Sequence, residues 1–339
     1  MNNKLKILFL IIGLVFFGFL INDFGIKNII TNLKITGWYF VPIIGTWLVV
    51  YLLNAKAWRF IINKPELSFF EVLSVTISGY ALNYITPFFN LGGEPYRVLA
   101  LKDRLGLTRS VSVTISYVML HFLSSFLIWI TAVIVIFILV PLSPAVYIGL
   151  GVSLVVFGVI VALFVQGYKK GITKSFMSLI IKLPLPKKLE ENFKSRDDLL
   201  AEIDENIKEL FNNRRKSFFA ANFYEYLSRV VATVEFYFIL RAIGLTPTLL
   251  DTFIINAGAG LISNMLFFVP FELGVKEGGL FALLGFLKYV PSTGVYVGIV
   301  DRLREMFWIL VGLILISISN FKTKNNKGKS LIYDESSFV

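Results

Sequence analysis

Ionisable residues stand in this chain where a hydrophobic sequence has little use for them. The stretch NYITPFFNLGGEPYR, residues 83–97, separates two apolar runs and holds Asn83, Pro87, Gly92, Gly93, Glu94 and Arg97. Proline has no N–H to donate and ends a helix, and glycine lets the backbone turn and approach a ligand. A helix restarting near Gly93 would aim free N–H groups and its positive dipole end at the break, a site for an anion such as phosphate. Arg97 adds a planar donor fork suited to the same group. Glu94 would balance Arg97 or hold a cationic group. The other reading is that both only pair with charges that hold the turn.

A second copy lies far downstream. NMLFFVPFELGVKE, residues 264–277, again has an asparagine (Asn264) before a proline (Pro270). Each proline is followed by phenylalanine, Phe88 and Phe271, and each is followed seven residues on by a glutamate, Glu94 and Glu277. Gly92 and Gly274 stand just ahead of those glutamates, and Lys276 adjoins the second.

Other charges interrupt the apolar runs, where ionisable groups are costly and mark functional positions. Glu225 and Arg229 are four apart on one helical face and would pair with each other; Glu235 follows. In DRLRE, Asp301 and Arg304 are three apart and would pair, with Arg302 and Glu305 beside them. Arg302 and Arg304 point to different sides, so at least one needs an internal partner. His121 is the chain's single histidine and would relay protons or pack as a hydrogen-bonded side chain. The candidate substrate-binding set is therefore Asn83, Gly92, Gly93, Glu94, Arg97, Arg229, Asn264, Gly274, Lys276, Glu277, Arg302 and Arg304. Candidate proton-relay residues are His121, Glu225 and Glu305; no catalytic or metal-binding residue is assigned.

What holds these groups in place follows from composition. Of 339 residues 56% are apolar and 16% charged, and mean hydropathy is +0.74; soluble domains run at about 45–50% and about 25%. Runs near the length of about 20 residues that a bilayer requires recur along the chain. The fold class expected is an all-α polytopic membrane protein. About six full spans are read, at 7–21, 38–53, 110–140, 145–166, 218–243 and 293–319, with two broken or re-entrant helix hairpins at 67–101 and 249–289. Residues 7–21 resemble a signal peptide but lack a small-x-small cleavage pattern, so they are taken as a retained span. Residues 22–37 read as a loop, and Trp38, Tyr39 and Trp58 as aromatic-belt positions. The chain divides into a membrane half at 1–167, an amphipathic linker at 168–217, a second membrane half at 218–319 and a basic tail at 320–339. In the linker Leu199, Ile203, Ile207 and Leu210 recur at helical spacing, marking a solvated helix, a partner-binding helix or one lying on the membrane.

The net charge of +11 fits lysine- and arginine-rich cytoplasmic loops facing anionic lipid better than nucleic acid, for which no binding domain is visible. With no cysteine and one histidine, disulfides, thiolate sites and histidine-built metal sites are excluded. No phosphate-binding loop of an ATP motor occurs, and no cofactor is expected. Basic loops on alternate turns put both termini on the cytoplasmic side. In that frame the first hairpin starts and ends inside and the second outside, an inverted repeat of the kind that places sites at the midplane.

The stretches LGGEPYRVLAL and FELGVKEGGLFALL resemble the transmembrane region of lysylphosphatidylglycerol synthases, over roughly residues 5–319. Stand-alone members of that family are described as flippase-like proteins. In two-part synthases the membrane region translocates aminoacylated phosphatidylglycerol made by a soluble domain, and nothing like that domain follows residue 320 here. The resemblance implies a transporter moving an anionic or aminoacylated phospholipid, or a polyprenyl-linked lipid, across the cytoplasmic membrane. It implies no enzyme activity; the alternative is an integral membrane transferase on a lipid-linked substrate, with Glu94 and Glu277 as acid and base. Expected partners are the lipid itself and a second copy of the chain or a lipid-synthesis enzyme, with no nucleic acid.

Overall fold

The computed structural model describes residues 11, 15, 25–65, 67–86, 92–170, 197–266, 269, 272 and 274–335. The expected span at 7–21, apart from Ile11 and Val15, lies outside the described residues, as do Pro87, Phe88, Pro270 and Phe271. The helices are α1 (Ile26–Thr36), α2 (Phe40–Ile62), α3 (Phe69–Ile85), α4 (Gly93–Leu105), α5 (Leu107–Leu139), α6 (Pro144–Lys170), α7 (Asp197–Asn212), α8 (Arg215–Ala242), α9 (Leu249–Met265), α10 (Val275–Phe286) and α11 (Thr293–Glu335), with a 3₁₀ turn at Gly37–Tyr39. No strand occurs among the described residues.

Three stretches are long and apolar enough to cross a bilayer: Ile30–Ile62, Leu107–Leu139 and Pro144–Lys170. Helices α8 and α11 have the length, 28 and 43 residues, but carry charge. They turn it inward, burying Glu225, Glu235 and Arg304. Helix α6 does the reverse and exposes Val152, Val155, Val159 and Leu163, as a lipid-facing helix does.

The expected helices and aromatic belt differ from the structure at three points. Residues 26–36, read as loop, form α1, because Ile26, Ile30 and Leu33 recur at the period of one helical face. Trp58 is no belt residue: it is fully buried and donates its indole N–H to the Val113 carbonyl at 3.3 Å. Trp38, by contrast, is 80% exposed. The third difference is α11, which continues as helix through the expected tail to Glu335.

Helices α3 and α9 open alike. Each is 17 residues long and starts in a capping box. The Ser68 hydroxyl accepts from Glu71 N–H at 3.1 Å while the Glu71 carboxylate accepts from Ser68 N–H at 2.8 Å. Thr248 and Asp251 repeat the exchange at 3.1 and 2.9 Å. Such boxes satisfy the free N–H groups that every helix start leaves.

Contacts set directions. Arg214, at the start of α8, donates to the carbonyls of Phe60 and Ile61 at the end of α2 at 2.5 and 3.2 Å, and Tyr39 meets Phe238 at the far end. α2 and α8 therefore run antiparallel. Burial pulls the pKa of Arg214 below the usual guanidinium value; Glu209 opposes the shift and Arg109 adds to it. Helix α4 returns beside α3: Arg104 pairs with Glu71 at 3.1 Å, and Lys64 donates to the Arg104 carbonyl at 2.6 Å. At the opposite end Tyr289, just past α10, donates to Asp251 at 2.8 Å, and Thr36 meets the Tyr296 hydroxyl at 2.9 Å. The α3–α4 hairpin thus enters from the end holding Lys64, Arg104, Arg109 and Arg214, and the α9–α10 hairpin from the other.

The apolar stripe of α7 is turned into the protein. Ile203, Ile207 and Leu210 are buried in a cluster with Trp58, Tyr117, Tyr168 and Phe218, Leu199 packs at its margin, and Leu200 is buried as well.

Candidate functional site

At the first break the α3 and α4 backbones touch. A Cβ on Gly93 would collide with the Gly79 carbonyl, and one on Gly79 would sit 2.6 Å from Arg97 Nε. Only glycine permits this approach. Gly92 caps α4. The Asn83 side chain fills the helix start: its Oδ1 accepts from Gly93 N–H at 2.6 Å and its Nδ2 donates to Glu94 at 3.3 Å. Pro95, two residues on, has no N–H to offer. An anion at this turn is therefore left chiefly with Arg97.

Arg97 is 2% exposed and donates to Glu94 at 2.6 Å. Its guanidinium lies over the rings of Tyr80, Tyr117 and Trp58, at 4.9, 5.2 and 5.8 Å from their centroids. Such stacking holds a desolvated cation by about 2 kcal/mol or more. Arg97 Nε and Nη2 and Glu94 Oε2 are buried and make no hydrogen bond.

A polar seam continues from these rings. The Tyr80 hydroxyl receives Asn54 Nδ2 at 3.0 Å and meets the Tyr117 hydroxyl at 3.0 Å and His121 Nδ1 at 3.3 Å. His121 Nδ1 lies 2.5 Å from Glu225 Oε1. Arg229 donates to the His121 carbonyl at 2.7 Å, and Asn256 donates to the Arg229 carbonyl at 2.9 Å. Glu225 and Arg229, expected to pair with each other, instead both turn to His121, because α5 packs against this face of α8 and offers a closer partner.

The second break is held differently. Exposed Asn264 donates to the Gly260 carbonyl of its own helix at 2.8 Å, and among the described residues it makes no bond across the turn. Gly274 precedes α10 in the left-handed region with φ 75°, and Glu272 also has positive φ, 53°. Glu277 accepts from Arg302 at 2.5 and 3.2 Å, and Arg302 also donates to the Glu272 carbonyl at 2.8 Å. Lys276 pairs with Asp301 at 3.0 Å, with Glu305, and with Glu272 at 3.8 Å. Asp301 also pairs with Arg304, as their spacing suggests. Arg304 donates to Glu235 at 2.9 Å and to the Tyr84 hydroxyl at 3.4 Å, and stands 3.7 Å from the centroid of the Trp47 ring. The Trp47 N–H donates to the other Glu235 oxygen.

The candidate residues therefore fall into two networks. Asn83, Gly92, Gly93, Glu94 and Arg97 join His121, Glu225 and Arg229 through Tyr80 and Tyr117. Gly274, Lys276, Glu277, Arg302, Arg304 and Glu305 gather around Asp301, with Asn264 apart. Tyr84, on the last turn of α3, ties the second network to the first hairpin. The first sets Arg97 and Arg229 against Glu94 and Glu225 and is balanced. The second sets three cations, Lys276, Arg302 and Arg304, against five carboxylates, Glu235, Glu272, Glu277, Asp301 and Glu305. Sequence reasoning left out the aromatic walls. Their trace is polar-tipped aromatic side chains four apart on apolar helices, such as Tyr80 with Tyr84 and Tyr117 with His121. Among the described residues no cluster of three or more His, Cys, Asp or Glu could hold a metal ion.

Helices turned apolar side out, with charge folded inward and two helix breaks entering from opposite ends, define a multi-pass α-helical membrane protein. The family model described as lysylphosphatidylglycerol synthase TM region matches residues 6–313, so the chain belongs to that family. No curated protein and no solved structure matches it.

Proposed function

We propose that the protein moves a phospholipid headgroup across the cytoplasmic membrane while the acyl chains stay in the bilayer. One observation carries the reading: charged side chains gather at two oppositely entering helix hairpins, and Arg304 of the second network reaches Tyr84 of the first hairpin. The two hairpins are read as an inverted repeat, with their turns at the middle of the membrane. Structure-bearing salt bridges alone do not call for this many ionisable groups at bilayer depth, where each is expensive. Arg97 and Arg229 suit the phosphate. The two carboxylates in excess around Lys276, Arg302 and Arg304 suit amino groups, which favours an aminoacylated headgroup over a purely anionic one. Membership of a lipid-related membrane family supports the same reading. The end holding Lys64, Arg104, Arg109 and Arg214 faces the cytoplasm in this scheme, and both termini lie on that side. The chain acts as a transporter, not as a transferase.

Reconstituted protein with fluorescent aminoacylated, anionic and zwitterionic phospholipids tests this through the rate at which label becomes accessible across the bilayer. Acceleration of the aminoacylated lipid, reduced at least about tenfold by Arg97→Ala or Glu94→Gln, is the expected result. Equal rates in protein-free vesicles, or rates untouched by both substitutions, would refute it.

A further inference from the structure

The chain's one histidine does not stand alone. His121 Nδ1 is 2.5 Å from Glu225, a carboxylate with no exposed surface, and the second oxygen of that carboxylate, Oε2, is buried without a hydrogen-bond partner. A buried carboxylate half satisfied in this way costs free energy, and so holds its place best when a positive charge is added beside it. The His121 side chain, unlike that of Glu225, is one-third exposed.

The groups around the pair come from every packed element. Tyr80 of α3 touches the ring, with Asn54 of α2 behind it. Tyr117 lies one turn back on α5, Arg97 of α4 beyond the two phenols, and Tyr168 of α6 donates to the Ser116 carbonyl of α5 at 2.5 Å. From α8 comes Arg229, whose carbonyl is held by Asn256 of α9. The tyrosines and asparagines are neutral at physiological pH, so the charge here is set by Glu94, Glu225, Arg97, Arg229 and the ring. With a neutral ring it sums to zero; with a protonated ring it is +1.

We propose that the His121–Glu225 pair is a proton-binding site that makes the protein a proton–lipid symporter, the proton crossing in the same direction as the headgroup phosphate. The proposal rests on the translocation reading above. The proton adds to the ring nitrogen that does not face Glu225, giving an imidazolium–carboxylate pair. The extra positive charge favours entry of one phosphate charge beside Arg97 and Arg229, which returns the site to neutrality. Linkage is reciprocal, so the phosphate equally favours the proton. When the headgroup leaves on the far side the ring gives the proton to water there, and no other bond changes. An exchanger running proton against phosphate would require the opposite coupling sign.

The test uses the full chain in vesicles with a trapped pH dye and a labelled phospholipid. An acidic exterior should raise inward lipid movement, by up to about tenfold per pH unit for one proton, and the lumen should acidify as lipid arrives. In His121→Gln the gradient should no longer change the rate. Inorganic phosphate offered without labelled lipid should move no protons. Lipid movement indifferent to the gradient, or faster against it, overturns the symport alone, whereas no lipid movement in any condition overturns the translocation reading itself. A readout independent of transport is the ring spectrum of ¹⁵N-histidine-labelled protein, whose two nitrogen signals both come from His121, the only histidine. It should titrate in the unaltered chain, and Glu225→Gln should change its midpoint by on the order of one pH unit. A ring that does not titrate, or is blind to Glu225→Gln, also overturns the proton site.

Discussion

Replacing Arg304 by methionine keeps most of the apolar stem and removes the charge. In the folded protein this strips Glu235 of its guanidinium at 2.9 Å, leaves Asp301 with Lys276 alone, and takes the cation off the Trp47 ring. Glu235 is 1% exposed, so water cannot stand in. Breaking a buried pair from one side typically costs about 3–5 kcal/mol, and the lost ring contact lies within that range. Removing the stranded charge as well, in Arg304→Met with Glu235→Gln, should recover roughly 2 kcal/mol, since neighbours in one network couple by about 0.5–3 kcal/mol. Recovery stays partial because Asp301 keeps only Lys276. The assay is reversible unfolding in mixed micelles followed by tryptophan fluorescence, to which Trp47 reports directly. A loss below about 1 kcal/mol for the single variant, or a double variant additive within about 0.5 kcal/mol, would refute the view that Glu235 is held by Arg304.

The two breaks should differ in tolerance. Gly93→Ala drives a Cβ into the Gly79 carbonyl and should cost about 1–3 kcal/mol together with a marked fall in folded yield. Gly274→Ala meets open space and answers only for its left-handed φ, about 1–2 kcal/mol; a larger loss at Gly274 than at Gly93 in the same unfolding assay would contradict this. Ile207→Asp places a charge in the apolar seat of α7. It should free α7 to proteases at low concentration while the remaining helices stay protected; an unchanged digestion pattern would show that α7 is not held by that face.

Hydropathy was enough to place the long helices, and the two motifs were enough to point to the family, because both depend on local residue types. The pairing of charges was not legible. Glu235 finds Arg304 across 69 residues and Trp47 across 188, and nothing local in either stretch announces the partner. Where spacing did speak, at Glu225 and Arg229, the tertiary offer of His121 won over the four-residue pair. Asp301 and Arg304 kept their local pairing because Lys276 of α10 takes the other carboxylate oxygen, Oδ2, and leaves Oδ1 to Arg304. Trp58 looked like an interface residue because it lies just past the apolar run at 38–53; which face of α2 it occupies depends on Val113 and Arg97.

The seam between α3 and α11 has a consequence for biosynthesis. Ser78 donates to the Gly312 carbonyl and Tyr84 accepts from Arg304 across 234 and 220 residues, and Gly312 lies directly against Ala81. The first hairpin therefore enters the membrane without the helix that completes its wall. At about 5–20 residues per second of synthesis, it waits on the order of 10–45 s for α11. During that interval the face of α3 that will meet α11 is open to lipid and to other nascent helices. The insertion machinery must shelter it, and overproduction that outruns such shelter is expected to aggregate through this surface first.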